Sequence, residues 1–357
     1  MAPAGSGGAP TPGFDEVEIR VPKRLRVVGP PSWNEGALRR PSIDELDNRI
    51  MSLLVDDSRM TNRALATTLG VSEVTVAARI HRLVTDRILI FTAMLDWEAV
   101  GYEWLAIARI SVAGIAPARV ARDVGALRCC TSAATVSGSA DVQATFLLPD
   151  RPAVHRLKEV ELAGVGGVAG SSLHLVTRSY MSSRVRSSFM ARSVTDLWLP
   201  APVQPLDAID VGVIEAVIAD GRRTGRSIGR QLNVSEATVR ARRARLERAG
   251  MLQVVAMRNP LAFGQVGALG QVGVRVRPQA LADVVARLRR APSIVQVVVT
   301  AGTFDVMVAI AAPSTRELAG AISDQIEALD GVYDIDALEV DEVIHFVPFL
   351  KQLDNPE

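Results

Sequence analysis

The chain has 357 residues, 48% of them apolar, with 40 Lys and Arg against 39 Asp and Glu. At ~150 residues per domain this length predicts two to four domains with real cores, and a net charge of +1 confines any nucleic-acid surface to a local patch. The two cysteines, Cys129 and Cys130, are adjacent, which excludes a zinc spacing or a disulfide framework and fits a reducing cytoplasm. No apolar run reaches the ~18 residues of a membrane span, and the N-terminus lacks the pattern of a secretory signal.

Residues 1–41 are rich in Gly, Pro and Ala, with basic points at Arg20, Lys23, Arg24, Arg26, Arg39 and Arg40. They read as a flexible tail, either a plain leader or a basic arm that touches phosphates. Residues 42–95 then predict three helices. Asp44, Glu45 and Asp47 load the first turn of the first one with acid, and Leu46, Ile50, Leu53 and Leu54 recur at helical spacing. Thr61 caps a second, short helix ended by Gly70, and Ser72 caps a third with Val76, Ile80 and Leu83 inward. Helix, short helix, tight turn, helix is the layout of a DNA-reading helix-turn-helix.

From residue 100 to 180 the periodicity changes. WLAIARISV reads as a strand, PARVARDVGAL as a helix, CTSAATV and VQATFLL as a hairpin around SGSAD, RPAVHRLKEVEL as a helix and VAGSSLHLV as a strand. That order, βαββαβ, predicts a ferredoxin-like sandwich. A Pro-stiffened linker at 181–206 follows, carrying Arg184, Arg186 and Arg192.

The whole order then repeats. VSEVTV at Val71–Val76 returns as VSEATV at Val234–Val239, 163 residues on, and the flanks repeat as well: Thr75 falls on Thr238, Arg79 on Arg242, Arg82 on Arg245. The second reader occupies 207–258 and the second sandwich 265–350. The predicted fold class is α+β: a winged-helix or helix-turn-helix domain followed by a ferredoxin-like βαββαβ sandwich, the pair duplicated.

LDNRIMSLLVDDSRMTNRALATTLGVSEVTVAARIHRL followed by a βαββαβ unit containing TAGTFDVMV resembles the leucine-responsive/AsnC (Lrp/AsnC) family of bacterial and archaeal transcription regulators. An ordinary member has one reader and one sandwich, so this chain resembles two members fused. The resemblance implies double-stranded DNA as partner and no cofactor. It implies a small-molecule effector, often an amino acid, bound at the sandwich interface. It also implies either a homo-oligomer or a pairing of the two halves within one chain.

On a helical wheel at 100° per residue, Thr238, Arg242 and Arg245 point away from the core direction set by Val239 and Leu246. Thr75, Arg79 and Arg82 do the same in the first copy. With the capping Ser72 and Ser235, these are the expected DNA-facing residues, since Arg takes guanine or phosphate and Thr a base edge or phosphate. The first reader, Ser42–Ile90, holds six basic and seven acidic residues, and the second, Asp207–Gln253, nine basic and six acidic. Phosphate attraction is the larger sequence-independent term in DNA binding, so the second reader is expected to bind more strongly. Two departures stand out. Arg243 occupies the core-side position of Ile80, and Arg87 the helix-ending position of Gly250.

The family's effector lies near the hairpin turn, which matches Gly302, Thr303 and Asp305 and, more weakly, Gly138, Ser139 and Asp141. A plain hairpin turn accounts for the same residues. GVGGVAG at Gly164–Gly170 has the wrong spacing for a nucleotide loop. Asp334, Asp336, Asp341 and Glu342 read as a strand face, and His81, His155, His174 and His345 are scattered. The rival reading is a sirohaem decarboxylase, built on the same two domain types, in which His155 or His174 would handle carboxylates. A third is a partner protein that senses a metabolite and binds no DNA.

Overall fold

The computed structural model describes residues 43–95, 101–181, 206–258 and 267–346. The expected tail and nearly all of the expected linker lie outside them. The first reader comprises α1 (Glu45–Asp56), α2 (Asn62–Leu69), α3 (Glu73–Thr85) and a wing strand β1 (Leu89–Leu95). The first sandwich follows as β2 (Trp104–Val112), α4 (Pro117–Gly125), β3 (Cys130–Ser137), β4 (Val142–Leu148), α5 (Arg151–Arg156) and β5 (Val168–Met181). The second reader repeats the first as α6 (Ala208–Ala219), α7 (Gly225–Leu232), α8 (Glu236–Arg248) and β6 (Leu252–Arg258). The second sandwich contains β7 (Ala268–Val276), α9 (Leu281–Leu288), β8 (Ile294–Ala301), β9 (Val306–Ala312), α10 (Thr315–Ile322) and β10 (Val332–Phe346). The α+β duplication read from the sequence is therefore the architecture of the molecule.

Local chemistry sets the helix ends. Asp44 and Asp47 form a reciprocal capping box at α1, each carboxylate accepting the other's backbone amide, and Asp207 and Asp210 do the same at α6. This satisfies two amides that a helix start leaves bare. Thr61, Ser72, Thr224 and Ser235 cap the remaining reader helices. The chain leaves α8 through Gly250 at φ 70° and leaves α3 through Arg87 at φ 56°. The first copy thus adopts the same left-handed exit without the residue that makes it cheap.

Two junctions bind the halves together. The wing strands pair with each other antiparallel, from Leu89↔Arg258 to Leu95↔Leu252. Each is packed by the opposite reader: Ala93 and Leu95 join the core of the second, and Ala256 that of the first. The Thr92 hydroxyl donates to Ile218 O at 2.7 Å, the Ser58 hydroxyl to Val254 O at 2.9 Å, and the Arg222 guanidinium sits 4.0 Å from the Phe91 ring centroid. The eight sandwich strands close into a barrel in the order β10-β3-β4-β2-β5-β8-β9-β7. Its seams between halves are β5 on β8 and β3 on β10, both antiparallel.

The inner face of the barrel is not symmetric. Arg109 on β2 is 5% exposed; its guanidinium ion-pairs with the Asp336 carboxylate at 3.1 Å, donates from Nη2 to Asp336 O at 3.1 Å and lies 4.6 Å from the Phe304 ring centroid. The positions 164 residues away hold Gly273 for Arg109, and Ala140 where the second half has Phe304. Phe304 fills the space that Gly273 leaves empty. A Cβ on Gly273 would stand 2.6 Å from the Phe304 ring.

Candidate nucleic-acid interface and ligand turns

The recognition helices α3 and α8 present the sequence-derived DNA face, and the structure reveals what lies across from it. Ser72 Oγ accepts from the Thr75 amide at 3.0 Å and its hydroxyl pairs with that of Thr75 at 2.8 Å. Ser235 and Thr238 repeat both contacts at the same distances. Arg79 bonds Asp44 and, at 3.2 Å, Asp47; Arg82 bonds Asp47 as well. In the second reader Arg242 bonds Asp207 at 2.7 Å and Asp210 at 3.2 Å, and Arg245 bonds Asp210 at 2.6 Å. Asp47 and Asp210 have side chains 0% and 1% exposed, whereas the four arginines stay about one-third exposed.

These contacts give Arg79, Arg82, Arg242 and Arg245, the arginines expected to face DNA, partners within their own reader. The outward face of each recognition helix turns toward the acidic first turn of helix one, and the arginines tie the two helices together. The backbone amide of Asp47, then Arg79, hold the Asp44 carboxyl below its ordinary pKa. The Asp210 amide, then Arg242, do the same for Asp207. Arg79 is raised chiefly by its hydrogen bond to Asp44, and Arg242 chiefly by the charge of Asp210. The signal was present in the sequence: Asp44/Asp47 and Asp207/Asp210 recur at the same 163-residue offset as the arginines.

Other arginines remain unengaged by any described residue. Arg226 and Arg230 lie one turn apart on the exposed face of α7, and Arg240 is exposed on α8. The corresponding first-reader positions are Arg63, Thr67 and Ala77, so two of the three charges are absent there. Arg243 does not reach the core; its Nε bonds Glu247 at 2.9 Å, and Glu247 also takes Arg59 of the first reader at 2.7 Å.

The hairpin turns are occupied by their own backbone. Asp141 accepts the Val112 amide at 2.7 Å, and Asp305 accepts the Val276 amide at 2.8 Å. Thr303 O receives Arg275 Nε at 3.2 Å. Gly138 and Gly302 lie against the other half: a Cβ would meet Leu338 Cδ2 and His174 Nδ1 respectively, each at 2.7 Å. Gly138, Asp141, Gly302, Thr303 and Asp305, the residues expected around an effector, thus hold the turn geometry and the contact between halves. The acidic run on β10 is also engaged. The Asp336 carboxylate accepts from Ser139 and ion-pairs with Arg109, Asp341 accepts from Ser137, and Asp334 lies 3.4 Å from Arg275.

His174 is fully buried, stacked 5.4 Å from Phe304, and burial followed by the charge of Arg109 pushes its pKa down to about 4. His155 is exposed on α5, 3.2 Å from Glu159. No helix among the described residues is long and apolar enough to cross a membrane.

Comparison with known proteins follows the duplication. Residues 43–84 and 206–247 each match the AsnC-type helix-turn-helix domain, and residues 270–340 match the Lrp/AsnC ligand binding domain. The chain is 31% identical over 134 residues to an uncharacterised HTH-type transcriptional regulator of Pyrococcus furiosus, spanning 37% of this chain and 90% of that protein. It is 30% identical over 128 residues to the HTH-type transcriptional regulator LrpA of Pyrococcus horikoshii, spanning 36% of this chain and 90% of the other. Among solved structures, the siroheme decarboxylase NirDL in co-complex with an iron-uroporphyrin III analogue superposes with a TM-score of 0.58. That match covers 85% of this chain and 94% of that one at 15% identity, a likeness of the doubled fold.

Proposed function

The chain belongs to the Lrp/AsnC family of transcriptional regulators, and on that premise we propose that it binds double-stranded DNA in the cytoplasm through both readers, one polypeptide supplying the paired heads. The observation that carries this reading is the β1–β6 ribbon, which holds two complete helix-turn-helix units as one body. Helix-turn-helix dimers meet DNA half-sites whose spacing mirrors the protein's own.

In this reading Arg79, Arg82, Arg242 and Arg245 set the pose of the recognition helices and lend their exposed edges to phosphate. Thr75, Thr238, Ser72 and Ser235 hold the helix starts that approach the backbone. Arg226, Arg230 and Arg240 supply the added phosphate contacts that make the second reader the stronger one. The chain acts as a regulator and not as a catalyst, responds to a small molecule through its sandwiches, and assembles further through barrel surfaces.

Selection of fragments from sheared genomic DNA tests this, with wild type compared with Arg226→Gln/Arg230→Gln/Arg240→Gln at two salt concentrations. Enrichment of a few sites with two half-sites, weakened in the variant, supports the regulator. Absence of enrichment together with a tetrapyrrole absorption band in the purified protein would replace it with the decarboxylase.

A further inference from the structure

A groove of about 400 Å³ lies on the first half, between α5 and strands β2 and β5. Trp104, Leu173 and Leu175 form an apolar floor, and Ala301 at the end of β8 closes the far side, so both halves contribute. Its rim is basic: Arg151, His155 and Lys158 stand along α5 and the turn that continues it. No described residue engages Arg151 or Lys158, whereas His155 lies 3.2 Å from Glu159, the one carboxylate paired to this rim.

The equivalent place in the second half has none of this character. Residues 164 positions on are Ala268 for Trp104, Thr315 for Arg151, Ala319 for His155, Ile322 for Lys158 and Glu339 for Leu175. There Thr315 donates to Glu339 at 2.7 Å, which puts an acid where the first half has its floor. The basic, tryptophan-floored character of the groove is therefore not repeated at the equivalent positions of the second half. An apolar floor buries a hydrocarbon body, and free cations on one rim select its charged end; the volume falls in the range of small-molecule sites, roughly 300–1,000 Å³.

We propose that this groove binds a small organic anion, an aromatic or aliphatic body ending in a carboxylate. Arg151 and Lys158 hold the carboxylate and Trp104 faces the body. The occupant is taken by one half only and touches the other through Ala301. The site is distinct from the hairpin turns and does not depend on DNA being bound.

The chain's lysines are Lys23, Lys158 and Lys351, so Lys158 is the single lysine among the described residues. Reductive methylation of the full chain, followed by mass spectrometry, reads the groove directly, with Lys23 and Lys351 as internal references. The probes are 4-phenylbutyrate, its methyl ester and 4-phenylbutylamine. Phenylbutyrate is expected to slow modification of Lys158 alone, and the ester and amine to leave it unchanged. Arg151→Glu should raise the half-protecting concentration about tenfold or more, the cost of a charge-assisted hydrogen bond, and Arg151→Gln by less. Unchanged hydrogen exchange in α5 shows that either variant is folded. Equal slowing of all three lysines, equal protection by the amine, no protection by phenylbutyrate, or an unchanged half-protecting concentration in Arg151→Glu would each overturn the proposal. Because no DNA is present, such a result leaves the regulator reading standing.

Discussion

Replacing Asp210 by Ala removes the residue on which the second reader turns. Its carboxylate closes the capping box at α6, accepts Arg245 at 2.6 Å and Arg242 at 3.2 Å, and is 1% exposed. Loss of a cap costs about 1 kcal/mol. Breaking a buried ion pair by deleting one partner costs about 3–5 kcal/mol, but here both arginines are about one-third exposed and can rehydrate, and Arg242 keeps Asp207 at 2.7 Å. The ion-pair share therefore falls to about 2 kcal/mol, for a total near 3 kcal/mol. Several domains share the chain, so a single melting transition would not report this quantity. Amide hydrogen exchange does, peptide by peptide. A loss of about 3 kcal/mol accelerates exchange in α8 roughly 150-fold, with the barrel peptides unchanged. Asp210→Asn, which keeps the shape and loses the charge, falls between. Acceleration below about fivefold in Asp210→Ala, or acceleration spread evenly over β7–β10, would refute the idea that this carboxylate anchors the recognition helix.

The Arg226→Gln/Arg230→Gln/Arg240→Gln variant should lower the slope of log affinity against log salt by about 0.9 per lost phosphate contact, with α8 exchange unaltered; fluorescence anisotropy of labelled duplex reads the slope. Arg242→Gln/Arg245→Gln should behave the other way, speeding exchange first. Arg87→Gly relieves a left-handed residue at φ 56° and is expected to slow exchange around the α3–β1 junction by about 1 kcal/mol. Gly273→Ala sets a methyl 2.6 Å from the Phe304 ring, and overpacking of this kind costs about 1–3 kcal/mol, read as faster exchange in β7. His174, with its pKa pushed down from the ordinary 6.5 to about 4, binds a proton more readily unfolded than folded. Its contribution to stability is complete above pH 6.5 and is lost as pH falls toward 4. Exchange in β5 measured from pH 7 to 4.5 should show that loss, and His174→Leu, the residue at the equivalent Leu338, should flatten it. His345, lowered by burial in the same direction, leaves a residual slope.

Helix order and the βαββαβ succession were legible because caps and periodicity are local. Asp44, Thr61, Ser72 and Gly70 act within a turn of where they stand. The strand β1 was not read as a partner for β6, because LIFTAML is apolar nearly throughout, being buried on both faces, and so shows no alternation. Its mate lies more than 150 residues away. The ion pairs of the arginines were missed for a related reason. A helical wheel fixes a side chain's direction relative to its own helix and says nothing of the neighbour that direction meets. Asp47, at a position scored only as helix-starting acid, is that neighbour. The hairpin aspartates were ambiguous for want of an address: Asp141 and Asp305 serve amides of the strand beside their own turn, Val112 and Val276, which only the folded sheet brings near.

The ribbon of β1 on β6 joins heads that are no longer alike. A homodimer of identical readers, turned end for end on its site, is the same object, so it cannot tell left from right along the duplex. Here one end carries Arg226, Arg230 and Arg240 and the other Arg63, Thr67 and Ala77. The two heads are not interchangeable, and under the proposed paired binding a site held by one chain is read in a single sense. Covalent linkage also removes dilution as a means of parting them. Under the proposed paired binding, a complex of one chain with DNA has a head and a tail.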